Sequence, residues 1–106
     1  MAQMFGVARI GRDAEVRYTA GGDAVVSLSL AFEYGKKVDN KKPVQWVDVA
    51  LWGKRGEAMA PYLLKGQQVG VTLDEVHIET FTKADQSQGF KLVGRVSNIE
   101  FAGSPP

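Results

Sequence analysis

Apolar and polar side chains alternate along several segments of this chain, which is the pattern of a β-strand with one buried face. The clearest segment spans residues 24–32, where Val26, Leu28, Leu30 and Phe32 occupy alternate positions. The same reasoning predicts strands at about residues 4–9, at residues 68–81 with a bulge or bend near Asp74 and Glu75, and at residues 90–101.

A second alternating segment, residues 44–52, carries both tryptophans of the chain. Trp46, Asp48 and Trp52 fall on one face of the predicted strand, and the apolar residues at positions 47, 49 and 51 fall on the other. A protein core does not readily accept an unpaired carboxylate between two indoles. We therefore expect the tryptophan face to point outward.

One segment, residues 54–64, has apolar residues at helical spacing between Gly53 and Gly66. Pro61 predicts a kink or a new turn inside it. The resulting order of three strands, a helix and two strands matches the five-stranded Greek-key barrel of the OB-fold, an all-β class with one short helix. Residues 36–42 and 82–89 are the expected long loops. The domain is expected to span residues 1–102 and to end in a frayed tail at residues 103–106.

Composition narrows the classes of function. The 106 residues, 44% of them hydrophobic, suit one domain with an ordinary core. The chain has no cysteine, which excludes disulfides, thiolate nucleophiles and zinc sites of the cysteine type. It has no apolar run long enough to cross a bilayer and no recognisable signal peptide at its start, so we expect a cytoplasmic protein.

The sequence predicts no catalytic residue, no metal site and no cofactor. His77, the single histidine, shares a strand face with Glu75 and Glu79, and such a pair can move protons. However, the chain lacks a cysteine for it to activate and has no serine in a nucleophile motif. We therefore expect a binding protein and not an enzyme.

Aromatic side chains are placed where nucleic-acid bases could reach them. Trp46 and Trp52 lie on the outward face, Tyr34 ends the second predicted strand, and Phe81 ends the fourth. Flat rings stack on any base and contribute about 1–3 kcal/mol per base. The alternative for these rings is a second hydrophobic layer or a subunit interface.

The formal net charge is only +1, so any affinity for nucleic acid must depend on local charge. Four lysines and one aspartate give the loop after the second strand a net charge of +3. Ammonium groups beside exposed aromatics suit a phosphate backbone. The predicted phosphate contacts are Lys36, Lys37, Lys41 and Lys42, together with Lys54 and Arg17.

Several segments resemble, in order and at comparable spacing, the bacterial single-stranded DNA-binding proteins. Residues 11–18, 21–25 and 27–31 resemble the opening of that family. Trp46 with residues 51–54 resembles its third strand, and residues 62–69 resemble the end of its helix and its fourth strand. The similarity covers about residues 4–102 of the chain.

The resemblance implies an OB-fold, a homo-oligomer that is usually a tetramer, with a dimer as the alternative, and base stacking by Trp46, Trp52 and Phe81. The remaining stacking position of the family falls at Lys36, so Tyr34 is a nearby substitute. Asp48 stands where the family commonly has an arginine, which predicts weaker binding or a shifted path for the strand.

The resemblance further implies binding of single-stranded DNA without sequence preference, and its protection during replication, recombination and repair. Family members often carry an acidic tail that recruits other proteins, and such recruitment is not expected from this chain. Two other interpretations stay open: a short primosomal replication protein related to this family, and an OB-fold interaction protein of a phage or mobile element.

Overall fold

The computed structural model describes residues 2–103, which form β-strands around one short helical segment. The strands are β1 (Met4–Ile10), β2 (Glu15–Tyr18), β3 (Ala24–Glu33), β4 (Val44–Trp52), β5 (Gln68–Thr82) and β6 (Gln88–Phe101). An α-helix, α1 (Lys54–Met59), leads into a 3-10 turn (Ala60–Tyr62) between β4 and β5. Of the predicted tail, Gly103 is described and residues 104–106 lie outside the described residues.

Five of the strands close into a barrel. The hydrogen-bonded order is β1-β5-β6-β4-β3, and β3 returns to β1 through the pairs Arg9↔Ala31 and Ile10↔Leu30. The pairing of β4 with β6 is parallel, and the other pairings are antiparallel. The predicted OB-fold is therefore confirmed, with the helical segment at the predicted place between the third and fourth barrel strands.

The sequence reasoning missed β2, which pairs only with β3 among the described residues. β1 and β2 run along β3 as one interrupted strand: the chain leaves β3 at residues 11–14, where the Ala14 amide donates to the Leu63 carbonyl. All four residues of β2 are exposed. Its sequence, Glu-Val-Arg-Tyr, alternates polar and apolar residues, but four residues are the shortest run in which alternation indicates a strand.

The side chains that the alternation predicts to be buried lie in the barrel interior. Val26, Leu28 and Leu30 of β3 are at most 1% exposed. The apolar face predicted for β4 is confirmed, since Val47, Val49 and Leu51 point into the same core. The other strands and the 3-10 segment complete the cluster with Ala8, Ile10, Leu63, Val69, Val71, Leu73, Val96 and Ile99.

The α-helix is shorter than the predicted segment. It ends at Met59, and Pro61 lies in the first turn of the 3-10 helix that follows, so the proline starts a new turn. Met59 is half-buried and Leu63 is buried, whereas Tyr62 is 67% exposed. Because a 3-10 turn has fewer residues than an α-turn, residues after Pro61 rotate away from the face that an unbroken helix would present.

The predicted irregularity of the fourth strand is confirmed in β5. The register of β5 against β6 shifts between Asp74 and His77, and Glu75 has a φ of 57°. This bulge bends a strand of 15 residues so that its first half pairs with β1 and its second half extends with β6 beyond the barrel. No helix in the described part of the chain is both long and apolar enough to span a membrane.

The packing of α1 on the barrel depends on a glycine. A Cβ atom at Gly56 would lie 2.9 Å from both Leu51 Cγ and the Leu51 carbonyl oxygen. We expect Gly56→Ala to lower the free energy of unfolding. Overpacking against backbone costs about 1–3 kcal/mol, which exceeds the gain of about 1 kcal/mol in helix propensity. Urea unfolding followed by circular dichroism measures the change.

Gly70→Ala is the matched control, because a Cβ atom at Gly70 in β5 meets nothing within 4 Å. Its unfolding free energy should stay equal or rise, since a strand glycine carries an entropic penalty. Equal stability of Gly56→Ala and the parent protein would contradict this account of the helix contact.

Candidate functional site

The outward face of β4 carries the two tryptophans, as the alternation predicted. Trp46 and Trp52 are each 49% exposed, a high value for such large apolar side chains. They are six residues apart on one face of a strand, which corresponds to about 20 Å. Asp48 and Ala50 lie between them and are half-buried.

The register across the sheet determines what lies beside Asp48. Ser29 of β3 pairs with Asp48 on one side, Val93 of β6 pairs with it on the other, and His77 of β5 pairs with Val93. Paired residues in a sheet share a face. The row from Ser29 to His77 therefore crosses the outward surface through its centre.

A groove of about 430 Å³ follows this row. Its floor includes the small side chains of Ser27 and Ala50, and Trp52 and Asp48 line it from β4. Cationic and acidic side chains both line it: Arg12, Arg17, Lys91, Arg95, Glu75 and Glu79. Of the predicted site residues, the groove thus brings together Trp52 and Arg17.

Trp46 lies on the same face, and its ring leans toward β1. A Cβ atom built on Gly11 would clash with Trp46 Cζ3 and would lie 3.5 Å from the Ser29 carbonyl oxygen. The indole therefore rests on the bare backbone of Gly11, next to Ser29. The Gly11 amide, which donates to that carbonyl at 2.8 Å, fixes the backbone under the ring.

Phe81 and Tyr34 lie at other places on the surface. Phe81 is 43% exposed near the end of β5, with its ring over Gly89 of β6, where a Cβ atom would clash with the ring. Tyr34 is 57% exposed just after β3. Neither ring lines the groove, so a ligand that touched all four aromatics would have to run across the surface beyond it.

The four predicted lysines lie on an ordered hairpin between β3 and β4. Val38 and Lys41 exchange two backbone hydrogen bonds, and Asp39 and Asn40 form the turn with φ values of 52° and 65°. All residues from 33 to 42 are exposed. Lys54, at the start of α1, is exposed as well.

Most charged side chains on the groove wall formed by β5 and β6 engage one another, and Lys91 is the exception among the described residues. His77 Nδ1 contacts the Glu75 carbonyl oxygen at 2.5 Å, and Nε2 lies 3.2 Å from the Glu79 carboxylate. These two hydrogen bonds, the first above all, raise the pKa of His77 above its usual 6.5. Arg95 pairs with Asp74 at 3.7 Å and with Glu75 at 3.5 Å.

The opposite wall differs, because Arg12 and Arg17 form no ion pair among residues 2–103. Of the cations in the groove, only Arg17 is among the phosphate contacts predicted from the sequence, and Arg12, Lys91 and Arg95 are not. Their positions follow from strand register, which the alternation of a single strand does not contain. Within the same residues, no three histidine or carboxylate side chains group closely enough to hold a metal ion.

Comparison with known proteins gives one family. The model of the single-strand binding protein family matches residues 1–101. The single-stranded DNA-binding protein of Treponema pallidum is 35% identical over 100 residues, covering 92% of this chain and 56% of that protein. Single-stranded DNA-binding protein 1 of Synechocystis is 35% identical over 104 residues, covering 92% of this chain and 80% of that protein.

The chain is also similar to the single-stranded DNA-binding protein of Chlamydia caviae, with 32% identity over 93% of this chain and 61% of that protein. It therefore spans less than two thirds of the Treponema and Chlamydia relatives. Among solved structures, a Plasmodium falciparum SSB complex with ssDNA matches at a TM-score of 0.72 and 20% identity, over 97% of this chain and 96% of the other. At this identity, the match supports the fold alone.

The contact between Gly11 and Trp46 generates a prediction. In a Trp52→Phe background, Trp46 is the single tryptophan. Gly11→Ala should then increase quenching of its fluorescence by acrylamide, because the added methyl group displaces the ring from the backbone. Gly21→Ala is the control, since the nearest atom to a Cβ there is 3.9 Å away. Equal quenching in both variants would show that Gly11 does not position the ring.

Proposed function

Because the chain belongs to the single-strand binding protein family, we propose that it binds single-stranded DNA and acts by covering it, without catalysing a reaction. The observation that carries the proposal is the pair of half-exposed tryptophans on one outward sheet face beside a charged groove. Bases stacked on such rings lose contact with water on one side and gain dispersion contacts, whatever their identity. The interface therefore suits binding without strong sequence preference.

Phosphate contacts complete the proposed interface. Arg12 and Arg17 line the groove without acidic partners in the described chain, so phosphates can approach them without breaking an ion pair. The exposed hairpin supplies a second cationic stretch with Lys36, Lys37, Lys41 and Lys42. Lys54 supplies a separate positive charge. Each phosphate that these groups neutralise releases condensed counterions, which makes the binding dependent on salt.

The remaining predicted aromatics extend the proposed path of the strand. Phe81 near the end of β5 and Tyr34 just after β3 are exposed, and the strand register places both at the same end of the sheet. A single strand that continued past the groove would find a further stacking platform at each of them. In a cell, such binding would protect single strands in the cytoplasm during replication, recombination and repair.

We further propose that the protein assembles as a homo-oligomer, and we favour a tetramer over a dimer. β1 pairs with β5 through residues 4–9 but with β3 only at Arg9 and Ile10, so one edge of residues 4–8 has no partner within residues 2–103. Phe5 and Val7, on one face of this segment, are 78% and 59% exposed. An open strand edge beside an apolar face is a surface that a second copy would cover.

Single substitutions test the stacking proposal. Trp46→Ala and Trp52→Ala should each weaken the binding of oligo-dT by about 1–3 kcal/mol, because each removes one stacking platform. Both rings are half-exposed and outside the core cluster, so the fold should persist. Fluorescence anisotropy of a labelled oligonucleotide measures the affinity.

Tyr62→Ala is the control, because it removes an exposed ring from the 3-10 segment, away from the groove. It should bind oligo-dT as the parent protein does. If Trp46→Ala and Trp52→Ala also retained parental affinity, the proposed stacking face would be refuted.

The assembly proposal has its own test. Light scattering should give the parent protein a mass several times the 11.5 kDa of one chain. Phe5→Lys should reduce that mass, since it puts a charge on the apolar face of β1, whereas Tyr62→Lys on the 3-10 segment should not. A monomeric parent protein would contradict this part of the proposal.

A further inference from the structure

We infer that Asp48 selects among bases, so that the interface prefers guanine to other bases at the position beside Trp46. The inference rests on the proposed binding of single-stranded DNA and refines it. The general affinity would still come from stacking and phosphate contacts. The carboxylate of Asp48 would add a preference that depends on the hydrogen-bond donors of the base.

Asp48 lies where the edge of a stacked base would end. It is two residues from Trp46 on the same face of β4, about 7 Å along the strand. The Trp46 ring reaches from β4 across β3 to Gly11, beside Ser29, and Ser29 is the residue paired with Asp48. A purine ring stacked on the exposed side of the indole is wide enough to bring its edge to the carboxylate.

The carboxylate of Asp48 is poorly satisfied within the described chain. Its one hydrogen bond there comes from the Ser29 hydroxyl, which donates to Oδ1 at 3.5 Å, a long contact. It forms no ion pair among residues 2–103. Across the groove, His77 is engaged by Glu75 and Glu79, and Arg95 by Asp74 and Glu75.

A half-buried carboxylate with free lone pairs requires N–H donors from its ligand, since it can only accept hydrogen bonds. The Watson–Crick edge of guanine presents two adjacent donors, N1–H and the N2 amino group, which match the two carboxylate oxygens. Thymine presents one N–H between two carbonyl oxygens, and a carboxylate repels both of these oxygens. Adenine and cytosine each present an amino group next to a ring nitrogen that is an acceptor.

These edges are free in a single strand, so proteins read them directly on unpaired bases. A bidentate contact between a side chain and a base discriminates by about fivefold or more against a base that cannot make it. The affinity for a guanine-containing strand should therefore exceed the affinity for other strands by about this factor, while strands of any sequence are still bound. It should depend on Asp48 and not on the overall acidity of the groove.

The test compares two purines that differ by a single group. The probes are an oligo-dT, the same oligonucleotide with isolated thymidines replaced by deoxyguanosine, and one with deoxyinosine at those positions. Inosine stacks as a purine but lacks the N2 amino group. The parent protein should bind the guanosine probe about fivefold more tightly than the inosine probe.

Asp48→Ala should reduce this ratio to about one. Glu79→Ala is the matched control, because it removes the same charge from the same groove and should preserve the ratio. A ratio near one in the parent protein, or equal ratios in the parent and Asp48→Ala, would overturn the inference while binding of oligo-dT persisted. Failure of the parent protein to bind any of the three probes would instead refute the proposed function.

Discussion

Side chains along β4 point alternately into the barrel and out of it, and this alternation determines which chemical groups the outward surface carries. β4 is paired on both sides, with β3 and β6, so each of its side chains must point into the barrel or away from it. The burial of Val47, Val49 and Leu51 thereby forces Trp46, Asp48 and Trp52 outward. A shift of one residue would bury the aspartate and expose the core, so the hydrophobic effect that folds the barrel also holds the binding face in register.

Charge on this surface is arranged unequally between the two walls of the groove. On the β5 and β6 side, His77, Arg95 and the carboxylates engage one another, whereas Lys91 forms no ion pair among residues 2–103. On the other side, neither Arg12 nor Arg17 has an acidic partner within the same residues. In the proposed complex, phosphates would approach these three cations without breaking an ion pair.

The barrel could be predicted from the sequence because its strands bury one face and its turns carry glycine. β3 and β4 alternate clearly, and even the bulge in β5 shows as a change of phase near Asp74. β2 could not be found in the same way, since its alternating run is only four residues long and all four are exposed. The length of α1 was overestimated because the apolar spacing continues past Pro61, where the backbone has already changed to a 3-10 turn.

The binding face was predictable in part. The outward direction of the tryptophans follows from Asp48 alone, but the support of Trp46 by Gly11 depends on a contact between β4 and the chain after β1. The same limit applies to Arg12, Lys91 and Arg95, which strand register gathers around the groove from separate parts of the sequence. The stacking roles of Trp46, Trp52, Phe81 and Tyr34 remain predictions, as do the phosphate contacts of Arg17, Lys54 and the four lysines of the hairpin. Nothing in the local pattern of these residues distinguishes a contact with DNA from ordinary exposure.

A titration of intrinsic tryptophan fluorescence with oligo-dT, at low and high salt and with a duplex of equal length as the control, tests the central claim most directly. Base stacking on this face predicts strong quenching by the single strand, weaker binding at high salt and little effect of the duplex. An unquenched signal at low salt, or equal quenching by the duplex, would contradict the assignment of this face to base stacking.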